Sequence, residues 1–240
     1  MILFRSTLYL IFSLITIVIF AVLGLLTIPF PFEVRYGFIK QWARINLWWL
    51  KISCGLHYQI VGKENIPDTN AIIFCKHQSM WETMVLQNIF PPQVWVMKKE
   101  LLKVPFFGWG LAMLEPIAID RGAGRKALKQ LKEEGEKRMQ NGRWIVIFPE
   151  GTRMPPGEKG AYQIGGAMLA QHHAGLVLPV AHNAGSYWPK KGFLKKPGLI
   201  TVAIGKPIDC QGLSAREINA RAEESIEAMM AEIYSTNPPN

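Results

Sequence analysis

Two short stretches of this 240-residue chain carry side chains whose types and spacing suit proton transfer on an anionic substrate. The first is 76–83, KHQSMWET, which follows an apolar run at 71–75 and precedes a helical pattern. Imidazole ionises near working pH, so His77 is suited to take the proton from a hydroxyl as that oxygen forms a bond. On one α-helix His77 and Glu82 would stand ~140° apart around the axis. His77 is therefore expected in a loop, with Glu82 one turn into the helix and able to hold the ring. A structural reading competes: Ser79-x-x-Glu82 is also a capping box, in which Glu82 reaches back to the N–H of Ser79. A carboxylate has two oxygens, so the two roles can coexist.

The second stretch is 148–153, FPEGTR, at the end of another apolar run. A turn with glycine and an arginine suits a phosphate, because guanidinium stays charged and presents paired N–H groups. Taken alone, the hexapeptide reads more readily as an ordinary β-turn with an exposed arginine; its pairing with the first loop changes that balance. Other candidates are weaker. His172, His173 and His182 have no carboxylate or cysteine at ligand spacing, and His57 alternates within a strand pattern, so all are expected to be structural or superficial, and no metal is expected. Cys54, Cys75 and Cys210 form no CxxC pair and are odd in number, which fits a reducing compartment and apolar filling. The absence of a G-x-S-x-G elbow weighs against a serine hydrolase. The loop at 188–196 carries Trp188, Lys190, Lys191, Phe193, Lys195 and Lys196, a set open to lipid headgroups, CoA phosphates, an acidic carrier protein or plain solvent.

The paired loops resemble the glycerolipid acyltransferase family that contains the 1-acylglycerol-3-phosphate acyltransferases, bacterial members included. His77 with a carboxylate five residues on, then FPEGTR, match in order and separation, and further blocks match at 110–121 (GLAMLEPIAIDR) and 177–183 (VLPVAHN). The likeness covers most of 60–210. The chain departs from the usual pattern at Glu82, where the family has Asp, and at Lys76, where it has Asn; bacterial members that read KHQS and ET show the departure to be tolerated. The resemblance implies an enzyme of phospholipid biosynthesis that moves a fatty acyl group from acyl-CoA or acyl-acyl carrier protein to the sn-2 hydroxyl of lysophosphatidic acid, giving phosphatidic acid. It implies His77 as general base, Glu82 as its orienter, and Glu150, Gly151, Thr152, Arg153 and Arg121 around the acceptor, with direct transfer and no acyl-enzyme. A thiol of pKa ~8.5 leaves readily, so the donor needs no cofactor. Acylation of another lysolipid or of glycerol 3-phosphate, and non-catalytic lipid binding, are the alternatives.

Such loops need a scaffold. Apolar, β-rich runs at 57–61, 71–75, 94–97, 116–119, 144–148, 177–181 and 200–204 read as strands, and helical patterns lie at 83–90, 125–140, 164–173 and 215–234. Their alternation predicts an α/β domain at 57–240 with a mixed, largely parallel central sheet flanked by helices. The charged face of 125–138 is expected to be solvated, and the tail from 236 disordered. Before the domain, 8–28 is uncharged and long enough to cross the ~30 Å of hydrocarbon. A second helix at 33–55 mixes Trp42, Trp48 and Trp49 with Arg35, Lys40, Arg44 and Lys51, as residues at headgroup level do. Residues 1–56 are thus expected to form a two-helix membrane-anchoring segment. The excess of basic residues after the first helix predicts an inner-membrane protein with its domain in the cytoplasm. A net charge of +9 calls for an anionic partner, and beside an anchor that is membrane lipid rather than nucleic acid.

Overall fold

The strands β1 (Leu56–Val61), β2 (Ala71–Cys75), β3 (Gln93–Lys98), β4 (Ile117–Ile119), β5 (Trp144–Ile147), β6 (Leu176–His182), β7 (Gly198–Ile204) and β8 (Ile208–Asp209) form one eight-stranded sheet in a computed structural model. The structure describes residues 1–236, apart from the side chain of Arg121; the tail expected to be disordered lies outside the described residues from 237 onward. The path across the sheet runs β1-β7-β6-β2-β5-β3-β4, with β8 pairing β6 beside β7. Neighbours from β6 to β4 are parallel, whereas β7 runs antiparallel to β6 and carries β1 parallel to itself. The sheet is thus mixed and largely parallel, as expected. Sequence reading missed β8, whose two residues are too short for any period to register.

β2 is buried at every position because helices cover both faces, the usual fate of a central parallel strand. Its side chains alternate between two cores: Ile72 and Phe74 face one, Ala71, Ile73 and Cys75 the other. The first core is closed by α4 (Phe107–Met113), α5 (Arg125–Gln140), α6 (Gly165–His173) and α8 (Ala215–Thr236). Helix α5 buries Ala127, Leu131, Gly135 and Met139 at every fourth position and keeps its charges outside. Gly135 lets α6 come close: a Cβ there would lie 2.6 Å from the Leu169 methyls. The second core is closed by α3 (Trp81–Ile89). The short α4 and α7 (Ala184–Tyr187) were not legible in the sequence.

α1 (Ile2–Gly24) and α2 (Phe32–Cys54) form a hairpin. Thr16 Oγ1 accepts from Trp42 Nε1 and Asn46 Nδ2, both at 3.2 Å, and Phe12 packs against Trp49 and Phe20 against Phe38 as tilted ring pairs. α2 also belongs to both cores, giving Phe32, Tyr36 and Ile39 to one and Ala43, Leu47, Leu50 and Cys54 to the other. Its outward face leaves Trp48 and Ile52 more than half exposed. The apolar helical stretch Ile2–Thr27 is long enough to cross a membrane. Its side chains Ile11, Leu14, Ile15, Val18, Ile19, Val22 and Leu26 are exposed. Even at about half of the ~1.5–3 kcal/mol that full burial of such a side chain is worth, that face approaches the 5–15 kcal/mol stability of a whole domain. A surface of this size demands an apolar cover, and association with a membrane supplies one.

Candidate active site

The two sequence loops leave the carboxyl ends of adjacent parallel strands. β2 and β5 pair with Phe74 opposite Ile147, so the residues that follow emerge side by side at one edge of the sheet. β6, on the other side of β2, brings His182 to the same edge. Such an edge is where open α/β sheets place their chemistry.

His77 sits in the loop and Glu82 in the first turn of α3, as the spacing predicts. Glu82 Oε1 lies 2.8 Å from His77 Nδ1 and also accepts the backbone N–H groups of Gln78 at 2.9 Å and Ser79 at 2.8 Å. Ring orientation and helix capping are therefore done by one oxygen, not divided between two. Ser79 Oγ in turn accepts from Trp81 N at 3.2 Å. Glu82 is fully buried, which opposes ionisation; the imidazoles of His182 and His77 and the backbone donors outweigh that and hold its carboxyl below the usual range. His77 stacks on Phe148, centroids 3.9 Å apart and 13° from parallel. With Nδ1 tied to a carboxylate, Nε2 is left for the cleft that His77 lines. Sequence reading named Phe148 only as part of a motif; its role as a platform for the ring becomes visible when the strands are paired.

His182 is buried, and its Nδ1 accepts from Ala184 N at 3.2 Å, so Nε2 carries the proton and donates to the carbonyl of Lys76 at 2.8 Å. Burial pushes its pKa down, against the pull of the Glu82 carboxylate. The expectation of a structural histidine fits that geometry.

The FPEGTR loop turns at Gly151, whose φ of 67° is left-handed backbone that favours glycine. Its N–H closes the turn on Phe148 O at 2.9 Å. Thr152, Arg153 and Gly151 line the same cleft as His77. Among the described residues Arg153 has no acidic partner, so its guanidinium is available to an incoming anion. Glu150 is different: its side chain is sealed inside, where Oε1 takes Lys76 Nζ at 2.8 Å and Gly160 N at 2.9 Å and Oε2 takes His77 N at 3.3 Å. Both oxygens are thus engaged within the protein, and Glu150 is not among the residues that line the cleft. Lys76, itself buried, also pairs with Glu227 of α8 at 3.0 Å. Arg121 opens a short 3-10 turn after β4, and its side chain lies outside the described residues.

The cleft has a volume of about 510 Å³. Its polar end holds His77, Thr152, Arg153 and two lysines that sequence reading did not place there, Lys98 and Lys190. Lys190 Nζ donates to Thr152 Oγ1 at 2.9 Å, which assigns part of the basic loop to the site. Lys195 of the same loop is buried instead, its amine 4.8 Å above the Trp188 ring and bonded to Phe193 O. The other end of the cleft is apolar, walled by Ile17, Phe20 and Ala21 of α1, Ile39 and Trp42 of α2 and Leu111 of α4. A base, a free guanidinium and an oily arm thus share one cavity.

The thiols stand apart from this cavity. Cys54, Cys75 and Cys210 are buried, and burial raises the pKa of all three, that of Cys210 to about 11. The native protein should therefore react with none of its thiols within minutes of adding Ellman's reagent and with all three after unfolding; a fast-reacting thiol in the folded state would contradict the burial.

Residues 57–183 match a family model described as Acyltransferase. A 1-acyl-sn-glycerol-3-phosphate acyltransferase of Pseudomonas aeruginosa is 48% identical over 85% of this chain and 80% of its own. The Saccharomyces cerevisiae protein of the same name is 32% identical over 80% of this chain and 65% of its own. The crystal structure of the 1-acyl-sn-glycerophosphate (LPA) acyltransferase PlsC from Thermotoga maritima superposes with a TM-score of 0.80 at 25% identity, covering 97% of this chain and 95% of that one.

Proposed function

Because the chain belongs to the acyltransferase family, we propose that it is a 1-acylglycerol-3-phosphate O-acyltransferase, moving a fatty acyl group from a thioester donor to lysophosphatidic acid. The observation that carries this reading is the single cleft that joins the His77–Glu82 pair, an Arg153 with no acidic partner among the described residues, and an apolar arm. The arm takes acyl chain, Arg153 and Lys190 take the acceptor phosphate, and the sn-2 hydroxyl lies against His77 Nε2. As the hydroxyl oxygen bonds to the thioester carbonyl carbon, its proton passes to Nε2. Glu82, held as an anion, fixes the Nδ1–H tautomer and favours the imidazolium that forms. Collapse of the tetrahedral adduct breaks the carbon–sulfur bond; the thiolate takes the proton from Nε2 and leaves as CoA or carrier-protein thiol. No covalent acyl-enzyme and no cofactor enter this scheme.

Residues 1–56 seat the cleft at the bilayer, so that the lysolipid is acylated without leaving it. The basic residues after the first helix favour the inner membrane with the domain on the cytoplasmic side.

Release of free thiol from acyl-CoA is expected only when lysophosphatidic acid is present. Release without acceptor would point to a hydrolase, and none in either case to a lipid-binding protein. Arg153→Lys is expected to raise the acceptor KM about tenfold and leave the donor KM within twofold, because the paired guanidinium contact is lost while charge is kept. Equal effects on both substrates, measured by steady-state thiol release, would remove Arg153 from the acceptor phosphate.

A further inference from the structure

A second concavity, of about 330 Å³, lies between α2, β1 and α3 and shares no lining residue with the active-site cleft. α2 contributes Arg44, Trp48 and Lys51, which fall at i, i+4 and i+7 on one side of the helix, ~10 Å from end to end. β1 contributes His57 and Tyr58, and α3 contributes Asn88. No acidic residue lines the concavity. Among the described residues Arg44 has only a 3.4 Å bond to the neutral Gln41, and Lys51 has no ion-pair partner. Two uncompensated cations on one wall of a pocket are an anion site in waiting.

Two further observations narrow the ligand. Asn88 lines the pocket, and its amide oxygen is buried and has no hydrogen-bond partner among the described residues. Leaving such a group unpaired is costly, and a hydroxyl from a ligand would satisfy it. Trp48, 56% exposed, and Tyr58, 38% exposed, line the pocket beside the cations. Ile52, 55% exposed, lies one turn beyond Trp48 on α2, and Trp48 connects through Trp49 to Phe12 of the apolar helix α1. Arginine, lysine and tryptophan set at the margin of an apolar surface is the arrangement of side chains at headgroup depth.

We propose that this pocket binds the headgroup of an anionic glycerophospholipid, with its phosphate between Arg44 and Lys51, a headgroup hydroxyl on Asn88 and its chains alongside Trp48 and Ile52. The site is non-catalytic. It rests on the membrane association of the chain and not on the acyl-transfer reading, and it would hold a resident lipid that fixes how the hairpin sits at the surface.

The test uses the full chain and vesicles of phosphatidylcholine with or without phosphatidylglycerol. Arg44→Gln/Lys51→Gln is compared with Lys40→Gln/Lys63→Gln, an equal charge change at residues that do not line the pocket. The first pair should lose about tenfold or more of the preference for anionic vesicles, and native mass spectrometry should find a retained phosphatidylglycerol on wild type and on the second pair but not on the first. Equal losses in both pairs would reduce the effect to diffuse surface charge and overturn the site. Trp48→Ala, which changes no charge, should also weaken lipid retention; full retention would overturn the chain placement. Displacement of the lipid by millimolar inorganic phosphate would mark a free-phosphate site instead. Thiol release on detergent-dispersed lysophosphatidic acid should stay near wild type in the first pair, so loss of the lipid site and failure of the acyltransferase reading are read separately.

Discussion

His77→Ala should lower turnover about a thousandfold while leaving the melting temperature within a few degrees of wild type. A positioned general base contributes ~10²- to 10⁴-fold, and His77 is only partly buried, at a loop position whose backbone bonds to Glu150 and Met154 survive the change. Glu82→Gln should cost less, because the amide keeps one oxygen for the N–H groups of Gln78 and Ser79 but no longer carries the charge that favours imidazolium. The double variant should be no slower than His77→Ala alone, since residues that act as a unit lose their effect once. Thiol release under saturating donor and acceptor measures all three. Retained turnover in His77→Ala would remove the base from the mechanism, and an additive double variant would mean that Glu82 acts independently of the ring. Glu82→Ala is a different experiment: it strands the backbone donors of the α3 cap in the interior, at ~1–3 kcal/mol each, so lost activity there would mix chemistry with folding.

What the sequence disclosed followed from local periodicity. The run 71–75 reads as a buried strand because all five residues are apolar, and the spacing of His77 and Glu82 excludes a shared helix; both held. The helix at 125–140 kept its bounds because a four-residue stripe of small and apolar residues runs through its charges. What stayed hidden was either too short or too distant. The two residues of β8 and the glycine-rich α4 carry no usable period. Lys190 reaches the cleft only because β6 and β7 bring the loop between them to the edge where β5 ends. Reading α2 by composition emphasised its tryptophans and basic residues, yet its other stripe, from Phe32 to Cys54, is built into both cores. One helix serves two environments, and composition averages over them. Glu150 shows the same limit from the other side. A motif match groups it with Arg153, whereas the turn at Gly151 leaves the carboxylate inside and the guanidinium in the cleft.

That inward turn leads to the largest expected effect on stability. Lys76→Met should destabilise the protein by about 3–5 kcal/mol, because it leaves the Glu150 carboxylate buried without its cation. For a chain of this size that corresponds to a fall of roughly 10 °C in melting temperature. Glu150→Gln alone should also be costly, since it leaves Lys76 with only Glu227, whose side chain is 26% exposed and so partly screened. Lys76→Met/Glu150→Gln should recover part of the loss of either single change, for no unpaired charge then remains between the loops. Glu227→Gln should cost much less than either, because solvent can replace what that carboxylate provides. Turnover should fall with Lys76→Met even at temperatures where the variant is folded, because Glu150 Oε2 holds the N–H of His77 itself, and the ring is only as well placed as its backbone. Thermal unfolding and thiol release on the four variants decide this. If Lys76→Met melts with wild type, or if the double variant is no better than the single ones, the buried pair does not hold the two loops together and the placement of His77 must come from α3 alone.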